Sequence, residues 1–168
     1  REKSGVSSAL PHLFEKAIAI LTPTNNTDKK ALRKIGTLWK GMGSSVVEMD
    51  PVVHDRMMAA VSHLPHLVAY ALMDLFAHPK MVKPDPLPFS AGGLRDFTRI
   101  AESSPEMWHD IFLGNKRALI DTLDLYQETL EKMKKAILNA KPAGKYEDAD
   151  ELFKILDHAK IVRQRVRS

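Results

Sequence analysis

The chain has 168 residues, 44% of them hydrophobic, and a formal net charge of +4, which suits one well-buried core or two small lobes and carries no sign of disorder. It has no cysteine, which excludes disulfide frameworks, thiolate metal sites and thiol nucleophiles, leaves His, carboxylates, Ser and Arg for chemistry, and makes a cytoplasmic location the expectation. No apolar run approaches a membrane span and no signal-peptide core opens the chain. The basic end with Lys160, Arg163, Arg165 and Arg167 reads as a solvated helix end, so neither membrane nor nucleic acid is expected as a partner.

In chain order, the sequence begins Arg1-Glu2-Lys3-Ser4-Gly5, without an initiating Met, and is expected to be a piece of something longer. Ala17-Ile18-Ala19-Ile20-Leu21, closed by Thr22-Pro23, and Ser45-Val46-Val47-Glu48-Met49 are short apolar runs that predict strands. Between them Leu32, Ile35, Trp39 and Met42 recur at helical spacing behind the cap candidates Thr27 and Asp28, and Gly41 and Gly43 mark the exit. Residues 1–49 therefore predict a strand, a helix and a strand. Two strands alone are marginally stable and leave open edges, so this unit is expected to flank a larger sheet.

From Asp50 onward every segment predicts helix, and residues 50–168 are read as a second, all-helical domain. Asp50 is the expected N-cap and Pro51 the first helical residue, where a missing N–H is harmless. The helix should run to Pro65 and kink there, because the ring removes one backbone bond and frees a carbonyl on the preceding turn. Its continuation to about Phe76 is apolar nearly all round, as in the middle of a bundle or in an oligomer interface. Residues 77–90 carry four prolines and predict a loop. Ala91-Gly92-Gly93 leads into a short helix carrying Arg95, Asp96 and Arg99, and Ser103-Ser104-Pro105 opens what reads as one long helix. Its Leu119, Leu123, Tyr126, Leu130, Met133 and Ile137 alternate at spacings of four and three, the seam of lengthwise helix packing. After a break at residues 141–144, Leu152, Ile155, Ala159, Val162 and Val166 continue that rhythm in a final helix.

The segment Val61-Ser62-His63-Leu64-Pro65-His66 places two imidazoles one turn apart in an apolar helix, which costs desolvation unless partners meet them. Hydrogen-bonded core histidines are one reading. A shared metal ion is another, with His54, Asp55 or His78 as further ligands, and His54-Asp55 would suit a metal phosphohydrolase with a helical fold. Against the metal, an Asp in the first turn behind a proline is ordinarily a helix-dipole residue. A third reading is an anion pocket: Gly92-Gly93 lets backbone approach a ligand, and Arg99 offers a bidentate fork for a carboxylate. Arg99 could otherwise pair with Asp96 one turn earlier.

Three strings in order, Val61-Ser62-His63-Leu64-Pro65-His66-Leu67-Val68-Ala69, Gly92-Gly93-Leu94-Arg95-Asp96-Phe97-Thr98-Arg99-Ile100-Ala101 and Pro105-Glu106-Met107-Trp108-His109-Asp110-Ile111-Phe112, closely resemble the C-terminal region of prephenate dehydrogenases. Glu2-Lys3-Ser4-Gly5, Leu21-Thr22-Pro23-Thr24 and Met49-Asp50-Pro51 with His54-Asp55 fit the same family, and the resemblance runs to about Ile137. It implies an NAD- or NADP-binding Rossmann domain, whose end would be residues 1–49, followed by a helical domain that intertwines as a homodimer. The implied reaction is oxidative decarboxylation of prephenate, or of its amino analogue arogenate, in tyrosine biosynthesis. By the same resemblance His66, Arg99 and Gly92 would bind substrate, with Arg99 on a carboxylate. Glu2, Asp55 and Trp108 would line or gate the site, Asp55 as a candidate for contribution across the dimer, with His63 as structural neighbour of His66. Plain alternatives are a solvated terminal charge for Glu2, a helix-start residue for Asp55 and a core ring for Trp108.

The family's glycine-rich nucleotide loop has no counterpart here, because neither Gly41 with Gly43 nor Gly92-Gly93 follows a strand and opens a dinucleotide-type helix. Its hydroxyl-polarising histidine would lie a few residues before Arg1. The chain alone is therefore expected to hold no catalytic residue, no metal and no tightly bound nucleotide. The resemblance leaves prephenate and arogenate, and NAD and NADP, open. The remaining alternative is a helical self-association module without a ligand pocket.

Overall fold

The computed structural model describes residues 9–10, 12–78, 80, 83–140 and 150–166. Glu2, the break at residues 141–144 and Arg167 lie outside them. The described residues fall into two compact units, one reaching to Leu119 and the other starting at Ile120. That division lies inside a helix, whereas the change in sequence character comes at Met49-Asp50.

The first unit opens with strand β1 (Ile18–Leu21), helix α1 (Lys29–Gly41) and strand β2 (Ser45–Glu48). The strands pair in parallel, Ile18 opposite Ser45 through Leu21 opposite Glu48, a geometry that needs a crossover, which α1 supplies. Of the two cap candidates Asp28 takes the role, its carboxylate accepting from the Ala31 N–H at 2.7 Å. Trp39 meets Phe14 edge-on with centroids 5.1 Å apart, and the buried Ser44 hydroxyl donates to the Phe14 carbonyl at 2.9 Å. Beside it the Lys16 N–H donates to the Gly43 carbonyl at 3.0 Å. Gly43 has φ of +89°, and a Cβ there would stand 3.0 Å from Glu15 Cγ and 3.2 Å from Glu15 Cα. Only glycine satisfies both the backbone angle and this close approach. The unit leaves apolar surface uncovered: Ile18 is 68% exposed.

Helix α2 (Pro51–Met58) starts as the sequence predicts, with the Asp50 carboxylate accepting from the N–H groups of Val52 and Val53 at 2.8 and 3.1 Å. The region of the expected kink takes a particular form, a π-helical turn at Ala59–His63 in which the Leu64 N–H reaches five residues back to the Ala59 carbonyl. Pro65, which has no N–H for the carbonyl four residues before it, follows at once in helix α3 (Leu64–Leu75), so the wider turn sits where the regular ladder is interrupted. Ala59 and Ala69 have no exposed surface, while Leu67, Val68, Leu72 and Met73 are half-buried and Leu75 is exposed.

The proline-rich segment contains one 3₁₀ turn, Leu87–Phe89, before helix α4 (Gly92–Thr98) and a second 3₁₀ turn, Arg99–Glu102. The Tyr70 hydroxyl donates to the Ser103 carbonyl at 2.7 Å and fastens this turn to α3. Arg99 thus marks the change from α to 3₁₀ rather than lying inside the helix. The single long helix expected from Pro105 is two: α5 (Pro105–Gly114), capped by Ser104, and α6 (Lys116–Asn139), separated by Asn115 at φ −119°, ψ 33°.

In the second unit the seam is partly covered. Leu123, Tyr126 and Met133 are half-buried and Ala136 is buried, but Leu130 and Ile137 are 46% and 58% exposed. Helix α7 (Glu151–Arg163) begins at Asp150, which accepts from the Phe153 N–H at 2.9 Å. Lys132 pairs with Glu151 at 3.1 Å. Val166 lies past the helix end and is exposed. Among the described residues no helix is long and apolar enough to cross a membrane.

Candidate functional site

Trp108 is the centre of the candidate site. Ser104 caps α5 by accepting from the Met107 N–H at 3.2 Å, which sets the first turn of that helix and places the Trp108 ring in the interior, 6% exposed. His63 and His66, three residues apart, share a face of their helix, and both reach this ring. His66 stacks on it with centroids 3.6 Å apart and planes 20° from parallel. His63 approaches edge-on at 6.3 Å, and Phe112, one turn along α5, closes the cluster at 5.5 Å from Trp108. The Trp108 Nε1 is buried without a hydrogen-bond partner among the described residues.

Each imidazole also has a polar anchor. His66 Nδ1 lies 2.9 Å from the Ser62 carbonyl one turn before it. His63 Nδ1 lies 3.2 Å from the Asn115 side-chain nitrogen, which also donates to the Asp55 backbone carbonyl at 2.7 Å. Asn115 can reach both because it sits in the break between α5 and α6 rather than in a regular helix. Partial burial pushes the His63 pKa below its ordinary value of 6.5; the Asp55 carboxylate opposes that shift, and His54 and His66 reinforce it.

The structure brings together His63, His66 and Trp108 of the residues singled out by sequence. Gly92 and Arg99 open and follow α4, a segment packed on α3; Arg99 is exposed. Among the described residues a Cβ at Gly92 or Gly93 would meet nothing within 4 Å, so neither glycine serves a close approach to any of them. Asp55 is exposed at its carboxylate, which lies 3.0 Å from His54 Nδ1, while its backbone carbonyl is held by Asn115. Glu2 is outside the described residues. His78, proposed as a further metal ligand, instead accepts from the Lys80 N–H at 3.1 Å. No group of three or more His, Asp or Glu able to hold an ion occurs among the described residues.

Asn115 and Phe112 are the participants that sequence reasoning missed. Phe112 closes the Pro105–Phe112 motif, and its spacing of four from Trp108 on a helix was the available signal. The signal for Asn115 was the Gly114-Asn115 pair, a turn signature in the middle of a helical pattern.

The chain is similar in sequence and fold to known proteins. Residues 1–48 match the family model described as prephenate dehydrogenase, nucleotide-binding domain, and residues 50–158 match that described as prephenate dehydrogenase, dimerization domain. The prephenate dehydrogenase of Bacillus subtilis (strain 168) is 41% identical over 161 residues, covering 96% of this chain and 42% of the relative. The cyclohexadienyl dehydrogenase of Zymomonas mobilis is 36% identical over 137 residues, 81% of this chain and 47% of the relative. This chain thus spans less than half the length of these relatives. Among solved structures, prephenate dehydrogenase from Aquifex aeolicus in complex with hydroxyphenyl propionate and NAD+ superposes with a TM-score of 0.87 at 40% identity, over 99% of this chain and 56% of that one. Synechocystis arogenate dehydrogenase gives 0.77 at 28% identity, over 93% and 54%. The mainly helical fold behind a small parallel strand-helix-strand unit, the ordered motifs and these matches together place the chain in the prephenate dehydrogenase family.

Proposed function

We propose that this chain is the substrate-binding and dimerising part of a cytoplasmic NAD- or NADP-dependent prephenate or arogenate dehydrogenase. Residues 1–49 are the end of its nucleotide-binding domain, and residues 50–168 form the helical domain. The observation that carries the reading is the stack of His66 on the buried Trp108, next to an α4 segment packed on α3. A flat imidazole–indole surface suits a six-membered ring substrate, and the Arg99 guanidinium suits its carboxylate.

In this role Arg99 pairs with a substrate carboxylate, His66 and Trp108 orient the ring, and Gly92 leaves room for the bound molecule. Asp55 and His63 line or gate the same site, a role the family resemblance also gives to Glu2, which lies outside the described residues. Oxidation at the hydroxyl-bearing ring carbon, with loss of carbon dioxide and aromatisation, needs a nicotinamide as hydride acceptor. Among the described residues no strand runs into a helix through a glycine-rich turn: β1 reaches α1 through residues 22–28, which contain no glycine. The exposed apolar residues of α6 and α7, among them Leu125, Ile137 and Leu156, support self-association into a homodimer.

In the whole protein, prephenate-dependent reduction of NAD or NADP tests the reading directly. Arg99→Ala should raise the substrate KM by roughly ten- to more than a hundredfold, the range for loss of a charge-assisted pair, and leave cofactor binding unchanged. An unchanged KM for both prephenate and arogenate would count against it. A thermal shift with 4-hydroxyphenylpyruvate separates this reading from a self-association module without a pocket, because only a pocket gives stabilisation by mass action.

A further inference from the structure

We infer that the neutral forms of His63 and His66 carry their protons on opposite ring nitrogens, and that Asn115 is the positioning residue that sets the His63 tautomer. A backbone carbonyl can only accept, so the side-chain atom of Asn115 that lies 2.7 Å from the Asp55 carbonyl must be the amide nitrogen. This fixes the orientation of the amide, which its own shape leaves ambiguous. The same nitrogen lies 3.2 Å from His63 Nδ1. Since it only donates, Nδ1 must accept, and the single proton of neutral His63 sits on Nε2. At His66 the logic inverts: Nδ1 lies 2.9 Å from the Ser62 carbonyl, which again only accepts, so the proton sits on Nδ1 and Nε2 keeps its lone pair.

Protonation of His63 would bring two donors face to face at Nδ1, and partial burial already holds its pKa low against the Asp55 carboxylate, with His54 and His66 adding to the effect. The geometry and this electrostatic setting agree on a neutral ring. Around one tryptophan, two identical side chains thus become complementary: His63 offers an Nε2–H donor and His66 an Nε2 acceptor. A hydroxyl, which both donates and accepts, suits such a pair directly. A carboxylate at His66 Nε2 requires that ring to take up a proton first. This consequence for ligand choice rests on the proposed function, whereas the tautomers rest on the hydrogen bonds alone.

Long-range 1H–15N spectra of the protein labelled with 15N at histidine and asparagine side chains, recorded above the His63 pKa without any ligand, read the tautomers directly. His63→Gln and His66→Gln spectra identify the signals. The expected result is a protonated Nε2 with a free Nδ1 for His63 and the reverse for His66; the same tautomer at both overturns the inference. In Asn115→Asp the new carboxylate accepts where the amide donated, so the His63 proton should move to Nδ1 and its titration midpoint should rise, while the His66 proton should stay on Nδ1. A His63 that keeps its tautomer and midpoint in that variant overturns the role of Asn115. Should Asn115→Asp not fold, a scalar coupling between Asn115 Nδ2 and His63 Nδ1 across the hydrogen bond in the unmutated protein decides the matter, its absence counting against. Because no substrate is present, a wrong proposed function would show as absent turnover with these spectra intact.

Discussion

The strand-helix-strand unit and the helical cluster around Trp108 lie in the same compact unit, yet they treat their surfaces in opposite ways. In β1–α1–β2, the backbone is closely specified at one corner, where Gly43, Glu15, Lys16, Phe14 and Ser44 interlock, while Ile18, Ile35, Leu38 and Val47 stay exposed. Around Trp108 the largest ring is covered, and two imidazoles and an amide are given defined partners. The first region holds a connection in place with apolar surface still to cover. The second arranges polar groups at the edge of a core, the arrangement a ligand site needs.

That contrast is tested most strongly by Trp108→Ala. Removing a buried Trp costs about 3–5 kcal/mol in general, and here it also strips His66 of its stacking partner and His63 of its edge-on one. Urea denaturation should show a loss in that range together with altered ring-proton shifts for His63 and His66. A loss below about 1 kcal/mol would mean that the cluster is not a core at all. Gly43→Ala probes the other region and should have the next largest effect, about 1–3 kcal/mol, from forcing a side chain into a left-handed backbone against Glu15. Its damage should be confined to β1–α1–β2, so amide exchange should quicken in the strands while His63 and His66 signals stay put; disturbance of both regions would show that the two are not independent.

Asp50→Ala lies at the junction between them. Loss of an N-cap costs about 1 kcal/mol, and Asp50 caps α2 through two N–H groups. Faster amide exchange is expected at Val52 and Val53, with the π turn further along the helix unaffected. No change at those two amides would remove the cap from the account.

Element types were legible in the sequence wherever a local rule acts. Asp50 reads as a cap, and Asp28 as one of two candidates with Thr27, because capping depends on a few neighbouring residues; Ser103-Ser104-Pro105 marked a helix start without saying which serine caps it, and the two strands followed from short apolar runs. Pro65 announced an interruption but not its form, because whether a helix bends or widens into a π turn depends on which carbonyls its neighbours leave unpaired. The break at Asn115 was hidden for the opposite reason: the apolar spacing continues on both sides of it, so periodicity alone favours one helix. At the site, the pairing of His63 with His66 was visible from their spacing. That Trp108 is the ring they share was not, since residues some forty positions away in sequence meet only through the packing of α5 on the helix that carries them.

The smallest expected effect is the pH dependence that His63 contributes. Its folded-state pKa lies below 6.5, chiefly through burial, so at pH above that value the ring is neutral in both folded and unfolded chains and adds no pH dependence. As pH falls below 6.5, the unfolded chain takes up a proton that the folded ring still refuses, and stability drops until the folded pKa is passed. Denaturation curves collected at a series of pH values should therefore show stability rising with pH through that window. His63→Gln, which keeps a polar side chain without the titration, should flatten the rise. A slope unchanged in this variant would assign the effect to other groups and leave the Asn115–His63 contact as packing without an electrostatic role.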